Sequence, residues 1–274
     1  MELKDIASHW QNWAKQYSID LRATTKTSTI KQLEINALHQ AILKTPLAST
    51  EYFDALEVGC GNGYNCFGLS SLLPKAHITG VDFIPDMINN ANTLLENSPD
   101  THNLSFLTGD ILELNAHQNL KSEYDVVFTD RCIINLNSAE LHEQALDQLA
   151  SKTKTNGYIL LIENVIENYQ SQNTLRESVG LPSRVHDKFN TFIEESRFLK
   201  HAEQSLHLIE TVDFASLHDL VLYVLVPSIN EGKVDYEHPM VSAITELLLS
   251  NTPDIQAASA PFGQNRLYIF QKRG

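Results

Sequence analysis

The 274-residue chain predicts an α/β domain with a mostly parallel sheet and helices on both faces, and three observations carry that prediction. Short apolar runs alternate with segments of helical period as far as residue 164. The run Ala55-Leu56-Glu57-Val58 breaks into Gly59-Cys60-Gly61-Asn62-Gly63 and then into helix-forming sequence, which reads as strand, glycine loop, helix. Ile78-Thr79-Gly80-Val81-Asp82 reads as a second buried strand that ends in a carboxylate. Crossovers between such parallel strands are right-handed, so successive helices fall on fixed faces of the sheet.

Glycines at alternate positions leave no side chain on the turn, and the polar tail of a flat ligand can lie against bare backbone N–H groups near a helix N-terminus. The third glycine stands in the wrong place for a dinucleotide fingerprint, and no Gly-Lys-Ser/Thr follows to make a P-loop. Asp82 comes about 20 residues after the loop, where an acid at the second strand's tip meets a ribose and can accept from both hydroxyls. A glycine turn with an acid downstream also arises by chance in α/β proteins, so a ligand role and a purely structural role both stay open on this pair alone.

Taken in order, Trp10, Trp13 and Tyr17 recur on one face of an opening helix that needs a cover. Thr24 to Thr29 suits a polar loop, either an ordinary turn or a lid contact, and Thr29 with Gln32 makes a capping box for a helix carrying Ile30, Leu33, Ala37, Leu38, Ala41 and Ile42. Beyond the glycine loop, a helix runs to Leu73 and stops at Pro74, and Pro85 opens the next with Met87, Ile88 and Ala91 inward. Leu104-Ser105-Phe106-Leu107 is a third strand, and Asp110 past its end is either a turn residue after Gly109 or a ligand acid. Tyr124 to Asp130 is a fourth strand, after which Asp130 and Arg131 either pair structurally or face a ligand. Ser138 caps a helix with Leu141, Ala145, Leu146 and Leu149 on one face, and Asn156-Gly157 turns into a fifth strand ending in Glu163-Asn164.

Residues 165–215 fit no further sheet element and read as a helical insertion with a break at Gly180-Leu181-Pro182. Asn173, Arg176, Arg184, His186, Asn190 and Arg197 suit a cap over an acceptor, whereas Glu177, Glu194, Glu195 and Lys200 suit plain solvated helix faces. His218 to Pro227 reads as a sixth strand, followed by a helix through Val241 to Leu249, a Pro261-Phe262-Gly263 turn and a closing strand at Leu267 to Phe270.

The ordered set Glu57 to Gly63, Gly80-Val81-Asp82-Phe83, Thr108-Gly109-Asp110-Ile111, Tyr124 to Asp130 and Asn156 to Glu163 resembles the class I S-adenosylmethionine-dependent methyltransferases over roughly residues 50–165. The resemblance implies a Rossmann-like seven-stranded sheet with an antiparallel C-terminal hairpin, and S-adenosylmethionine as cofactor with S-adenosylhomocysteine as its product. It also implies that Glu57, Gly59, Gly61, Gly63 and Asp82 bind the cofactor and that Phe83, beside Ile84, lies against adenine. Asp110 would accept from the exocyclic amine, and the Ile111 N–H would reach a ring nitrogen. Asp130 would touch cofactor or acceptor. The Asn/Asp-Pro-Pro-Tyr run used for planar amide and amine acceptors is absent after the fourth strand, and Asp130 to Leu136 looks instead like a bacterial subset associated with sugar and surface-polysaccharide modification.

The expected organisation is one domain over 1–274: N-terminal helices and lid (1–48), cofactor-binding core (49–164), cap insertion (165–215) and C-terminal strands and helix (216–274). A formal net charge of −14 disfavours nucleic acid as a partner. No apolar run is long enough for a bilayer and the opening residues are polar, so the expected location is cytoplasmic. Cys60, Cys66 and Cys132 read as buried thiols, with neither a metal nor a disulfide pattern. The expected activity is O-methylation of a polar small molecule, sugar-like or carboxylate-bearing. A hydroxyl acceptor needs a base, for which His186, Asp130 and Glu163 are the candidates, while a carboxylate needs little help. The competing class is a cofactor-binding regulator or subunit without transfer, and an RNA or protein methyltransferase is less favoured. Nothing in the sequence speaks to oligomeric state.

Overall fold

A computed structural model describes residues 1–98, 101–250 and 262–274. Seven strands form one sheet in the order β3-β2-β1-β4-β5-β7-β6. They are β1 (Phe53–Val58), β2 (Ala76–Asp82), β3 (Leu104–Thr108), β4 (Tyr124–Asp130), β5 (Thr153–Asn164), β6 (Leu206–Val212) and β7 (Asn265–Lys272). The first five are parallel, and β7 runs antiparallel between β5 and β6. Strand order reverses between β1 and β4, which opens a crevice at the carboxyl edge where ligands settle in sheets of this kind.

Alternation along the strands builds two cores. Ala55, Ile78, Val126, Phe128, Leu160 and Ile162 join α2 (Ser28–Leu43), α3 (Tyr64–Leu72) and α4 (Pro85–Glu96) on one face. Leu56, Val58, Val127, Ile159, Leu161, Tyr268 and Phe270 pack on the other against α5 (Ala139–Lys152) and α7 (Glu195–Ala202). The opening helix α1 (Leu3–Tyr17) lies outside both and rests on α4, where Asn90 Nδ2 donates to Ala14 O (3.1 Å). No helix among the described residues is long and apolar enough to cross a membrane.

Three expectations need correction. Residues 218–227 are helical: α8 (Ser216–Leu220), a π-helical turn (Val221–Leu225) and α9 (Val226–Ile229) run end to end, with Pro227 in the first turn of α9. Val221, Leu222, Tyr223, Val224 and Val226 are all buried, and an apolar run closed on every side has no period by which strand and helix differ. The real sixth strand, β6, sits inside the segment read as lacking sheet structure; it is an edge strand whose only buried residue is Leu206, so its sequence carries little apolar signal. The cap of α2 is Thr27, whose side chain accepts from Thr29 N, two residues ahead of the expected capping box. The Pro261-Phe262-Gly263 turn begins outside the described residues. The rest of the expected cap segment holds α6 (Ile166–Ser178), a loop and α7, stitched to the sheet by a bridge between Val165 and Ile193.

Candidate active site

A cavity of about 520 Å³ opens at the carboxyl edge of the sheet. Gly59, Gly61, Asp82, Phe83, Asp110, Ile111, Asp130 and His186 all line it, whereas Glu57, Gly63 and Glu163 lie behind its wall.

The end at the glycine loop is made of backbone and short side chains. Gly59 and Gly61 adopt φ of +76° and +54°, and a Cβ on Gly61 would come 2.3 Å from the Thr24 methyl. No other residue fits that turn without strain. Asp82 Oδ2 accepts from Gly61 N (2.8 Å) and Oδ1 from Ile84 N (2.9 Å), which fixes the carboxylate at the β2 tip. Burial among protein atoms raises its pKa to about 6, although its side chain still borders the cavity. Phe83 stands 54% exposed on the wall, a ring with an uncovered face. Asp110 caps the short helix Ile111–Ala116 by accepting from Leu112 N (2.9 Å), which settles its local role as a turn residue and leaves it on the cavity wall. Behind the loop, Glu57 is fully buried and accepts from Asn65 Nδ2 (2.8 Å) and the Cys66 thiol (2.9 Å); burial pushes its pKa up to about 7.

At the β4 tip, four charges from two elements interlock. Lys31 Nζ bridges Asp130 and Glu34, and Arg131 Nε reaches Glu34 Oε1 (3.0 Å) and Asp130 Oδ1 (3.4 Å). Asn65 Nδ2 also donates to Asp130 (3.0 Å), and Asn265 Nδ2 to Glu34 (3.1 Å). Burial works against ionisation of Asp130, but the charges of Lys31 and Arg131 outweigh it and hold the carboxyl below the usual carboxylate range. Arg131 itself has φ of +54°, a left-handed conformation that costs a non-glycine residue about 1–3 kcal/mol and persists only where neighbours enforce it. The neighbours are visible: Arg131 N donates to Ile162 O (2.7 Å), and the buried Glu163 accepts from Thr129 Oγ1 (2.9 Å) and from the backbone N–H groups of Cys132, Ile133 and Ile134 (3.1, 3.0 and 3.3 Å). Burial lifts the Glu163 carboxyl to about 7.

The opposite end is assembled from segments far apart in sequence. His186 packs at a tilt against Phe192 (ring centroids 4.7 Å) and meets Tyr169 edge-on (5.8 Å). His9 and Trp10 of α1 close against Phe189 of the cap loop, Trp13 stacks on His9, and Trp10 Nε1 donates to Asn135 Oδ1 (3.0 Å). The aromatic face of α1 is thus covered by the cap as well as by α4. Sequence reasoning missed Lys31, Tyr169, Tyr223, His218 and Asp219, which also line the cavity. His218 Nδ1 pairs with Asp219 Oδ1 (3.1 Å) and Nε2 with Thr29 Oγ1 (3.2 Å), so both ring nitrogens are engaged. The two residues were hidden in the run misread as a strand; a charged Asp inside that run was the available signal.

A sheet with this order and a glycine-cradled, acid-tipped cavity at its switch point define an S-adenosylmethionine-binding transferase of class I. The residues fit that cofactor: bare backbone on the turn, a carboxylate beside it and an uncovered aromatic ring. A methyltransferase-domain family model matches residues 50–215, and the chain belongs to that family. Malonyl-[acyl-carrier protein] O-methyltransferase of Bacillus cereus is 34% identical over 130 residues, covering 47% of this chain and 44% of the relative. The same-named protein of Anoxybacillus flavithermus is 26% identical over 181 residues, with 63% of each chain covered. The chain spans about half the length of the curated relatives it matches. Among solved structures, the putative methyltransferase of Haloferax volcanii in complex with the Trm112 activator aligns over 97% of this chain and 98% of its own, with TM-score 0.58 and 18% identity. N-methyltransferase NodS of Bradyrhizobium japonicum in complex with S-adenosyl-L-homocysteine aligns over 98% and 99%, with TM-score 0.54 and 13% identity. These likenesses show the shared fold.

Proposed function

We propose that the protein transfers a methyl group to a carboxylate oxygen of a small or carrier-tethered acid. The observation that carries this reading is the commitment of the two acids on the strand tips beside the acceptor space. Asp130 is locked in the ion quartet and Glu163 in the backbone of residues 132–134, so neither is placed to take a proton. A carboxylate acceptor, already ionised near neutral pH, needs no base. The similarity to malonyl-[acyl-carrier protein] O-methyltransferases supports the same chemistry.

In this reading Gly59, Gly61, Asp82, Phe83, Asp110 and Ile111 hold the cofactor, with Glu57 and Gly63 shaping the loop from behind. When bound, the cofactor supplies a methyl carbon made electrophilic by its sulfonium; transfer makes the O–CH₃ bond, leaves the S–CH₃ electron pair on sulfur as a neutral thioether, and moves no proton. Glu163 sets the turn that presents Arg131 and Cys132, and Asp130 pins α2 against the β4 tip. The chain acts as one domain in which 1–48 and the cap segment 165–215 close the cavity and exclude water.

Radiolabelled S-adenosylmethionine and a panel of malonyl-CoA, short carboxylic acids and neutral sugars test the proposal. A methyl ester releases its label as methanol in mild alkali. Alkali-stable label on a sugar would overturn the carboxylate reading and favour the second one, a hydroxyl acceptor with His186 as base, which His186's place on the cavity wall supports. Binding without transfer to any acceptor would leave a regulator or subunit.

A further inference from the structure

Arg184 follows α6 and is locked onto it from both sides: its N–H donates to Asn173 Oδ1 (2.9 Å) and its carbonyl accepts from Asn173 Nδ2 (3.0 Å). Its guanidinium carbon lies 3.4 Å from the centroid of the Tyr223 ring and 5.4 Å from that of Tyr169. Nη1 donates to Gln264 Oε1 (3.1 Å) and to Gln172 Oε1. Nε and Nη2, the edge that matches a carboxylate's two oxygens, make no hydrogen bond among the described residues. Side chain and ring therefore fix the direction of a fork whose prongs are uncommitted.

Among the described residues Arg184 forms no ion pair, and neither does the neighbouring Arg176, which is buried and donates only to the carbonyls of Pro182 (2.9 Å) and Tyr223. The part-buried Arg184 and the buried Arg176 lie side by side, with the Asp219 carboxylate one residue away through Gln172 and Gln264, and such a pair of guanidiniums favours a bound anion. A third group points the same way. Tyr169 is 4% exposed and lines the cavity, and its hydroxyl, beside Asn173, makes no hydrogen bond of normal geometry. Buried hydroxyls without partners are rare, and a bound acceptor atom would satisfy this one.

We propose that Arg184, stacked on Tyr223 and flanked by the Tyr169 hydroxyl, is the seat of the acceptor's carboxylate. The inference rests on the carboxylate reading above and assigns it a residue. Two parallel N–H bonds occupy one lone pair on each oxygen and leave the outer lone pairs for attack. The stacked ring holds the fork in advance, so little side-chain freedom is lost on binding.

Calorimetric titration of the full-length protein, loaded with S-adenosylhomocysteine, tests the seat using malonyl-CoA, its methyl ester and free malonate. Wild type should bind malonyl-CoA at least about 10-fold more tightly than the ester, the scale of one charged hydrogen-bond pair. Arg184→Ala and Arg184→Lys should erase that preference. Tyr169→Phe, which removes one oxygen and keeps the ring, should weaken the acid about 3- to 10-fold, leave the ester unchanged and leave S-adenosylhomocysteine affinity and Tm unmoved. Equal affinities for acid and ester in wild type, no binding of malonyl-CoA or malonate, or an undiminished preference in folded Arg184→Ala would each overturn the seat. Ester formation with unaltered KM in the Arg184 variants would remove the seat and leave the proposed function standing. Acid discrimination without transfer would do the reverse.

Discussion

The two ends of the cavity are built on opposite plans. The end proposed for the cofactor comes from one stretch of chain, β1 to the start of α4, plus Asp110 and Ile111, and presents backbone, glycine dihedrals and carboxylates at strand tips. The acceptor end draws on α1, α2, the β4 turn, the 184–192 loop, the π-helical turn and Gln264, and works through long side chains that meet only after folding. A ligand shared by a whole family can be met by main chain, which substitution hardly alters; a ligand particular to one protein is met by side chains on loops.

If that contrast is right, damage at the cofactor end should be the most severe. Gly61→Val places a β-branched residue at φ of +54° and a Cβ in the Thr24 methyl, and S-adenosylhomocysteine binding should disappear in calorimetry while circular dichroism still reports a folded chain. Retained affinity would mean that backbone approach is not what the loop provides. Asp82→Ala should cost about 1.5–3 kcal/mol of cofactor affinity, roughly 10- to 100-fold. The pH dependence sharpens the point. Asp82 is ionised only above about 6, so wild-type affinity should fall as pH drops through 6, and Asp82→Asn should be weak and flat across the same range.

A smaller effect separates the structural acids from the liganding ones. The folded-state values of Glu57 and Glu163 lie near 7, above the ordinary carboxylate value. A raised value contributes stability below the unfolded pKa and loses it as pH rises through the folded one. Thermal unfolding should therefore show wild type losing stability between about pH 5 and 7.5, with Glu57→Gln flattening part of that slope by on the order of 1 kcal/mol. An unchanged slope in Glu57→Gln would mean that Glu57 is not protonated in the native state. Smallest of all, His186→Ala should alter kcat by less than about threefold with a flat profile from pH 6 to 8 if the acceptor is a carboxylate; a loss of about 100-fold or more would transfer the acceptor end to general-base chemistry.

Legibility in the sequence followed the same divide. The glycine loop and Asp82 were readable because spacing along one strand-loop-helix unit encodes their geometry directly. Arg184 and His186 could be named as cap residues, but nothing local says that Arg184 finds Tyr223, 39 residues on, because that meeting depends on a helix that looked like a strand. Lys31 was unreadable for a related reason: its partner Asp130 lies 99 residues away, and a lysine on a helix ordinarily marks solvent. β6 failed on burial alone, since an exposed edge strand needs no alternation.

The ion quartet at the β4 tip also decides which part of the N-terminal region is a fixed post and which a movable arm. Lys31 and Glu34 rivet the second turn of α2 to Asp130 and Arg131, so α2 cannot leave the sheet without stranding buried charges. Ahead of it, residues 1–27 are held by the α1 contacts with α4 and Phe189 and by Asn62, whose Nδ2 donates to Ser18 O (3.2 Å) and Asp20 O (2.9 Å), and they include Thr24, which lies across Gly61. Thr24 over the glycine loop and the α1 aromatics over Phe189 thus belong to one continuous segment, and a displacement of that segment would uncover both ends of the cavity together.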